Sequence, residues 1–513
     1  MRPITAPRQS TIADLVRRSA QRTPDAVAVE FADRVWTYAQ WDTAVTAVAR
    51  HLLSLGLAPG DRVAAYGANS DVYALLFLGS ARAGLIHVPI NYQVRGEELD
   101  YFLTDSGAAA VFADADLAER VTDTPTGATL PVRTLEDLVT VAAEDNVEPQ
   151  GDGEFAAQDT DIAQLLYTSG TTSAPKGAML THMNMVSQTI NTNRMSPAAT
   201  ADDVSMVVVP LFHIAGLGFI YPALLNAGRT VIAPPQVLMK IDALADLVEE
   251  ERVTRMFLVP TLWQALCSLP GIRERNLPLT GATWGASPAS RETLQLMADT
   301  FPNAVISAAF GQTEMSPTTC AQSGEESFRK MGSVGQPIGM VAARVVDPLG
   351  QDVPQGETGE VVYRGPGYMQ GYWNKPEQTA EATAGGWFHS GDLVRVDEDG
   401  YYYVVDRAKD IIISGGENIS SVEVEQAVAA HPKVADACVI GASHPTWVET
   451  PVAIVVPADP QDPPTLEEVQ DFVIDRIASF KKPTRLEVVD ELPRNASGKL
   501  QKHILRKEYA TEE

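Results

Sequence analysis

The chain has 513 residues, of which 45% are hydrophobic, and a formal charge of −27 at pH 7. This length predicts two to four structural units around a substantial core. The negative charge argues against a nucleic-acid-binding protein and against a protein that binds anionic membranes, because both partners attract basic patches.

The cysteines and the apolar segments indicate the cellular setting. Cys267, Cys320 and Cys438 are scattered and form neither a metal-binding spacing nor a disulfide framework, which predicts a cytoplasmic protein. The first residues contain no apolar run of signal-peptide length. The most apolar window, 204–225, is interrupted by two prolines and a histidine, so we expect no membrane insertion.

The first 310 residues alternate helical patterns with short apolar strands. Helices are predicted at 11–20, 37–55 and 70–83, the last of them amphipathic, and strands at 62–66 and 86–90. Further strands are predicted at 204–209, 230–233, 255–259, 281–284 and 304–307. This alternation predicts a layered α/β domain with a mainly parallel sheet.

The texture of the sequence changes after residue 330. Glycine and proline become frequent, and runs at 343–346, 359–363 and 401–405 resemble antiparallel strands, which predicts a smaller β-rich subdomain. Residues 408–513 combine strand and helix patterns in a compact α+β unit.

A loop rich in hydroxyl groups follows a predicted strand end at 165–167. It begins with Thr168 and closes with Pro175, Lys176 and Gly177. Glycine, hydroxyl groups and a single lysine suit phosphate binding. The pattern of a P-loop NTPase fails, because Lys176 follows proline and precedes glycine. A solvated loop without a ligand is the alternative. A helix is predicted to start within 179–185.

Three later segments carry charged groups suited to a nucleotide. Glu314 follows Phe310, and a carboxylate beside a phosphate loop suits Mg²⁺, whereas a lone glutamate is usually solvated. Asp392 is suited to accept hydrogen bonds from ribose hydroxyl groups, or it forms a simple turn. Lys499, after Ser-Gly, is suited to stabilise developing negative charge, or it is a flexible cation on the surface. The charged run 406–410 is a hinge or a solvated face.

Five segments in order resemble the adenylate-forming superfamily, which includes acyl-CoA synthetases and 4-coumarate-type ligases. The segments are TSGTTSAPKG, FGQTE, WFHSGD, DRAKDIIISGGENIS and PRNASGKL. The resemblance covers essentially the whole chain. It implies an N-terminal domain at 1–407, with the β-rich subdomain at about 330–407, and a mobile C-terminal lid at 408–513. It also implies that ATP and Mg²⁺ convert a carboxylic acid to acyl-AMP, and that the acyl group then passes to a thiol, usually CoA.

The resemblance assigns a role to each matching position. It places Lys499 between the substrate carboxylate and the α-phosphate, Glu314 on Mg²⁺, Thr313 on phosphate, and Lys409 at the hinge. ATP contacts are implied for Thr168, Ser169, Gly170, Thr171, Thr172, Lys176, Phe310, Gly311, Gln312, Asp392 and Arg407. The acid pocket is implied at His213, Trp284, Gly285, Ala286 and Ala309, and the thiol channel at Gly415 and Gly416.

Departures from the family pattern bear on the acid and the acceptor. Trp284 stands where relatives carry a small residue, which favours a small or flat aromatic acid unless the ring turns into the core. Ile214 replaces an aspartate that holds α-amino groups, which disfavours amino acids. Val448 and Thr450 alter a Trp-Gly-Glu pattern of CoA-forming relatives. A carrier protein or a nitrogen nucleophile therefore stays open as the acceptor.

A nucleotide or acyl sensor without catalysis is the non-enzyme alternative. It is disfavoured because Lys499, Glu314, Asp392 and Arg407 are all present. The sequence does not indicate which oligomeric state the protein adopts.

Overall fold

The computed structural model describes residues 10–143, 148, 154–155, 157–168, 175–193, 199–494 and 500–510. These residues belong to two compact units. The first unit contains the described residues up to 342 together with 364–383, and the second contains 343–363 and the described residues from 384 onward. The division of the chain after residue 407 into domain and lid stays a prediction.

The first unit contains two sheets. Its strands are β1 (Val27–Phe31), β2 (Arg34–Thr37), β3 (Arg62–Tyr66), β4 (Ile86–Ile90), β5 (Ala108–Ala113), β6 (Val132–Thr134), β7 (Ile162–Thr168), β8 (Lys176–Thr181), β9 (Val204–Val207), β10 (Arg229–Ile232), β11 (Arg255–Leu258), β12 (Gly281–Gly285), β13 (Val305–Gly311), β14 (Thr318–Ser323) and β15 (Gln336–Pro337). The nine-stranded sheet has the order β15-β14-β13-β12-β11-β9-β10-β1-β2, and the six-stranded sheet has the order β6-β5-β3-β4-β7-β8.

Helices cover the faces of both sheets. They are α1 (Ile12–Arg22), α2 (Tyr38–Ser54), α3 (Asp71–Ala83), α4 (Gly96–Ser106), α5 (Ala118–Thr122), α6 (Asp137–Ala142), α7 (His182–Asn193), α8 (Ile214–Asn226), α9 (Ile241–Glu250), α10 (Pro260–Cys267), α11 (Arg291–Thr300), α12 (Glu326–Arg329) and α13 (Pro376–Ala382). No helix in the described ranges combines the length and the apolar character needed to cross a membrane.

The centre of the larger sheet confirms the predicted parallel α/β layer. Strands β10, β9, β11, β12 and β13 pair in parallel register. The carboxyl ends of parallel strands meet at one edge of a sheet, which is where α/β folds place ligands. The carboxyl ends of β9, β12 and β13 and the loops after them therefore emerge together. They carry the residues predicted for the acid pocket and three of the predicted ATP contacts, Phe310, Gly311 and Gln312.

One predicted helix is confirmed in position and another differs in burial. The helix start predicted within 179–185 is confirmed, and the residues before it, Lys176–Thr181, form β8, antiparallel to β7. Helix α7 begins at His182, after Thr181 and Asn184 exchange hydrogen bonds between side chain and backbone, which cap it. Helix α3 is buried on every side rather than amphipathic, because it packs between the layers of the unit.

The second unit confirms the predicted antiparallel β-rich region. Its elements are β16 (Ala342–Val346), β17 (Thr358–Arg364), β18 (Phe388–Val396), β19 (Tyr402–Arg407), β20 (Ile412–Ser414), β21 (Glu417–Ile419), α14 (Ser421–Ala429), β22 (Val434–His444), β23 (Val448–Pro457), α15 (Leu466–Val473), β24 (Arg485–Val488) and α16 (Lys502–Tyr509). One sheet has the order β16-β17-β18-β19. The other has the order β21-β20-β23-β22, with β24 parallel to β23.

All three cysteines of the chain are buried as free thiols. Burial raises the pKa of Cys267 to about 11 and that of Cys438 to about 12. Because the thiolate is the reactive form, these side chains behave as small apolar groups of the core.

Candidate active site

Strands β7 and β8 are the two legs of the hydroxyl-rich loop. Thr168 ends β7 and Lys176 begins β8, and the two residues lie opposite each other in the antiparallel register. Both are half-buried. Several residues with predicted roles, Ser169, Gly170, Thr171, Thr172 and Lys499, lie outside the described residues.

The carboxylate of Glu314 lies beside the first leg of that loop. Glu314 belongs to a short 3₁₀ turn, Thr313–Met315, directly after β13, and is only 8% exposed. Its Oε1 accepts hydrogen bonds from the hydroxyl group of Tyr372 at 3.0 Å and from that of Thr168 at 3.4 Å. The fold therefore unites two predicted site residues that belong to different sheets.

Tyr372 is a site residue that no sequence pattern singled out. Burial and the neighbouring charge of Glu314 raise its pKa well above the ordinary value, so the phenol keeps its proton and donates to the carboxylate. Its ring centroid lies 5.2 Å from Nζ of Lys176, a cation–π distance. Tyr372 thus contacts both the acidic and the basic group of the site.

The carboxylate of Glu314 and its surroundings fit a magnesium ion that is bound together with substrate phosphates. The hydrogen bonds described for this carboxylate converge on Oε1. Among the described residues, no group of three or more His, Cys, Asp or Glu side chains is placed to hold a metal. Mg²⁺ is typically bound through one or two carboxylates, waters and phosphate oxygens rather than by an all-protein cage.

The backbone before Glu314 is shaped by a close approach of β14. A Cβ atom at Gly311 would lie 2.0 Å from the carbonyl oxygen of Pro317, so only glycine fits. The backbone N–H of Gln312 donates to the same oxygen at 2.9 Å. The side-chain Nε2 of Gln312 is buried without a hydrogen-bond partner among the described residues. A buried amide donor at this position suits a polar ligand. Phe310 precedes it, half-buried.

The residues predicted for the acid pocket lie at the same edge of the large sheet. Gly285 and Ala309 face each other across β12 and β13, and Ala286 follows with a φ of 68°. His213 precedes α8, and its Nδ1 accepts a hydrogen bond from the backbone N–H of Ala215 at 3.2 Å. That bond leaves the imidazole anchored at the helix N-terminus.

Trp284 is a core residue by burial. It is 8% exposed and packs in the apolar cluster that includes Leu258, Ala308 and Met297. Its indole N–H is buried without a partner among the described residues. The ring therefore fills the layer beneath the pocket, and its effect on the acid stays a prediction.

The second unit pairs the residues predicted to bind ribose. Asp392 and Arg407 lie opposite each other in β18 and β19, and Nε of Arg407 is 3.1 Å from Oδ1 of Asp392. Gly391, with a φ of 71°, donates its N–H to Glu360 at 2.8 Å. Glu360 also contacts Nδ1 of His389 at 2.7 Å. The turn that presents Asp392 is thus tied to β17.

The predicted hinge, Lys409, lies between two anchored carboxylates. Oδ2 of Asp406 accepts from the backbone N–H of Ser421 at 2.5 Å and from its hydroxyl group at 2.8 Å, which caps α14. Asp410 accepts from Arg506 of α16 at 2.6 Å. Lys409 itself is exposed. A change in backbone angles at Lys409 would therefore alter the chain between Asp406, which is bound to α14, and Asp410, which is bound to α16.

Gly415 and Gly416 form the tight turn between β20 and β21. Their φ angles are 60° and 89°, as a two-residue hairpin of type I′ requires. The N–H of Gly415 donates to the carbonyl oxygen of Trp447 at 2.9 Å. The next residue, Val448, pairs with Ser414 and has a φ of 73°, an unusual angle for a β-branched side chain.

Comparison with known proteins matches nearly the whole chain. Residues 16–373 match the family described as AMP-binding enzyme. Residues 423–499 match the AMP-binding enzyme C-terminal domain. The first match includes the β7–β8 loop, Glu314 and Tyr372.

Two curated relatives and one solved structure illustrate this similarity. A feruloyl-CoA synthase from Amycolatopsis sp. is 37% identical over 494 residues, which cover 96% of this chain and 98% of that protein. A fatty acid–acyl-carrier-protein ligase from Streptomyces coeruleorubidus is 32% identical, with 98% and 97% covered. An o-succinylbenzoate coenzyme A synthetase from Bacillus subtilis, solved with ATP and a magnesium ion, has a TM-score of 0.85 and 27% identity, with 96% and 99% covered.

Proposed function

This chain belongs to the AMP-binding enzyme family, and from that premise we propose that it activates an aromatic carboxylic acid with ATP and transfers the acyl group to CoA. The observation that carries the proposal is the convergence of Thr168, Tyr372 and Glu314 beside the hydroxyl-rich loop. A buried carboxylate at the foot of such a loop suits the Mg²⁺ that accompanies ATP.

The chain is an AMP-forming acid–thiol ligase, and its reaction has two steps. In the first, an oxygen of the substrate carboxylate attacks the α-phosphorus of ATP, the bond to the β-phosphate breaks, and acyl-AMP and pyrophosphate form. In the second, the thiol of CoA attacks the acyl carbon, AMP leaves, and the thiol proton passes to solvent or to a base. Mg²⁺ offsets the charge of the phosphates in the first step.

The residues of this chain act by binding and positioning. A carboxylate is a weak nucleophile facing a polyanion, so orientation and charge neutralisation supply the rate enhancement. In this proposal Glu314 holds the metal, Lys176 faces phosphate oxygens, Asp392 and Arg407 hold the ribose, and Lys499 neutralises the α-phosphate.

The acid is proposed to be aromatic and flat. The feruloyl-CoA synthase relative is named for an aromatic acid, and Gly285 and Ala309, two residues predicted for the acid pocket, pair at the strand ends of β12 and β13.

CoA is the favoured acceptor, and a carrier protein is the second candidate. The acyl-carrier-protein ligase relative supports the alternative, as does Val448, which interrupts the pattern of CoA-forming relatives. We propose a cytoplasmic location, because three free, buried thiols suit a reducing compartment.

Pyrophosphate release tests the proposal. The intact enzyme with Mg²⁺ and ATP is offered short, medium and long aliphatic acids, benzoates and cinnamates, each with and without CoA, beside Lys499→Ala. We expect cinnamate-dependent release that CoA accelerates and that Lys499→Ala abolishes. Release that is indifferent to CoA would redirect the second step to another acceptor. Faster turnover of long-chain acids would overturn the aromatic assignment.

A further inference from the structure

Helix α4 contacts both legs of the hydroxyl-rich loop. Tyr101 and Asp105 are four residues apart and therefore share one face of the helix. The hydroxyl group of Tyr101 donates to the carbonyl oxygen of Pro175 at 2.7 Å. Oδ2 of Asp105 accepts from the hydroxyl group of Tyr167 at 2.8 Å. Tyr167 precedes Thr168, and Pro175 precedes Lys176, so each bond lies one residue from a site residue.

The anchor on α4 is itself held in place. The side chain of Asp105 is 11% exposed, and its Oδ1 also contacts Nζ of Lys375 at 3.1 Å. The indole N–H of Trp373 donates to the backbone oxygen of Asp105 at 3.1 Å, and the backbone N–H of Trp373 donates to the oxygen of Gly177 at 2.8 Å. Trp373 is thus bound to both α4 and β8, and it directly follows Tyr372, which donates to Glu314.

Packing and protonation keep these bonds intact. The ring of Phe102 lies edge-on to that of Tyr167, with centroids 4.8 Å apart. Burial and the hydrogen bond to Asp105 raise the pKa of Tyr167 far above the ordinary range. The phenol of Tyr167 therefore remains a hydrogen-bond donor throughout the working pH range, and α4 holds the two loop legs through its bonds to Tyr167 and Pro175.

We propose that Tyr101 and Asp105 are positioning residues that hold the two loop legs against α4 and thereby place Thr168 and Lys176 for the terminal phosphates of ATP. The proposal rests on the proposed function and deepens it. Neither side chain needs to touch the nucleotide, since both act through the backbone and side chain of the loop legs. The requirement applies only while the pyrophosphate group is present. It therefore concerns acyl-AMP formation and not acyl transfer from acyl-AMP.

Tyr101→Phe and Asp105→Asn test this assignment, with Tyr38→Phe as the matched control. Tyr38 is a buried tyrosine whose hydroxyl group donates to Ala223 and Gly228, at 3.1 and 2.7 Å, away from α4. Tyr101→Phe and Tyr38→Phe each remove a hydrogen bond from a phenol to a backbone oxygen, so the control reports the structural cost of such a loss. Asp105→Asn removes the carboxylate charge that pairs with Lys375 and weakens the bond from Tyr167. All variants are compared in the full-length enzyme with thermal unfolding measured alongside.

Two rates separate positioning from stability. We expect kcat/KM for MgATP in pyrophosphate exchange to fall about 10-fold in Tyr101→Phe, which loses one hydrogen bond, and by a similar factor in Asp105→Asn, which loses the charge of the acceptor. KM for the acid and the rate of thioester formation from supplied acyl-AMP and CoA should match wild type. Equal values of kcat/KM in Tyr101→Phe and Tyr38→Phe would overturn the assignment, as would an equal loss in the reaction that starts from acyl-AMP.

Binding of MgATP distinguishes failure of this inference from failure of the proposed function. If wild type releases no pyrophosphate with any acid, the proposed function fails. Calorimetry with MgATP then still tests the role of α4. A dissociation constant raised in Tyr101→Phe but not in Tyr38→Phe supports it, and unchanged constants in both variants refute it.

Discussion

The Glu314 site and the Asp392–Arg407 pair place carboxylates by different means. Glu314 lies on a turn, and its partners come from 146 residues before it and 58 residues after it in the chain. Asp392 and Arg407 face each other in neighbouring antiparallel strands, so strand register alone sets their separation. The first site depends on the packing of whole layers, whereas the second depends on a single sheet.

This difference predicts different sensitivities. A carboxylate held by distant loops loses its geometry when any of several contacts changes. A cross-strand pair loses it only when the register or one member of the pair changes. The following experiments test this contrast, beginning with the largest expected effect.

Glu314→Gln should cost the most activity. Glutamine keeps the shape and still accepts from Tyr372, but it removes the charge that suits Mg²⁺. We expect the adenylation rate to fall by about 10²–10³-fold, or roughly 3–4 kcal/mol of transition-state stabilisation. Pyrophosphate release at several Mg²⁺ concentrations measures this. Glu326→Gln, on the surface helix α12, should leave the rate unchanged, and an active Glu314→Gln enzyme would exclude the metal role.

Gly311→Ala should destabilise the layer that carries Glu314. Its Cβ would lie 2.0 Å from the backbone oxygen of Pro317, the residue before β14, which cannot yield as a side chain would. We expect a loss of about 3 kcal/mol in the free energy of unfolding. Denaturant unfolding measures it, with Gly281→Ala in β12 as the control. The nearest atom there lies 3.4 Å away. Equal stability of the two variants would refute the close approach.

Asp392→Asn should weaken ATP binding without affecting stability as strongly. A hydrogen bond to a charged acceptor contributes about 1.5–3 kcal/mol, so KM for ATP should rise about 10–100-fold. Asp352→Asn, in a surface pair with Arg344 in the same unit, is the control. If both variants raise KM equally, Asp392 does not bind the ribose and the pair is structural.

Acid should destabilise the first unit through His87 and His182. Burial lowers the pKa of His87 to about 3 and that of His182 to about 4, and both side chains are inaccessible to solvent. In the unfolded chain the two histidines take up protons below about pH 6.5. In the folded chain they remain neutral until the pH is much lower. Stability therefore falls as pH falls through 6.5, by about 2 kcal/mol per histidine at pH 5.

Unfolding of the full chain by guanidinium at pH 7.5, 6 and 5 measures this loss. His87→Gln keeps a hydrogen-bond acceptor for Gln164 and removes one of the two buried histidines. It should therefore reduce the loss of stability between pH 7.5 and 5 by about 2 kcal/mol. An unchanged loss would show that His87 is already protonated in the folded state.

Val448→Gly should have the smallest effect and the opposite sign. A β-branched residue with a φ of 73° is strained, and glycine removes that strain at some entropic cost. We expect a gain of up to about 1 kcal/mol in the free energy of unfolding. Val488→Gly, an exposed strand position in the same unit, should instead lose stability. A loss in both variants would contradict the strain at Val448.

The elements were more predictable than their contacts. Strands β3 and β4 have the bounds that their apolar runs predict, because period and flanking helices agree there. Helix α7 starts at His182, within the predicted range, whereas 176–181 is a strand that no local pattern indicated, because pairing with β7 decides its structure. The sequence motifs identified Glu314, Asp392 and Arg407 as candidate site residues. Nothing local could indicate Tyr372 or Asp105, since their partners lie far away in the chain.

The burial of the cysteines protects the protein from its own reaction intermediate. Acyl-AMP is a mixed anhydride that acylates any thiolate it meets, yet thiols with pKa values of about 11 and about 12 are almost wholly protonated at pH 7 and are shielded from solvent. The enzyme should therefore resist self-acylation at sulfur over many turnovers. The same property makes a simple assay practical, because a thiol-reactive dye added to the native protein will report the consumption of CoA with little background.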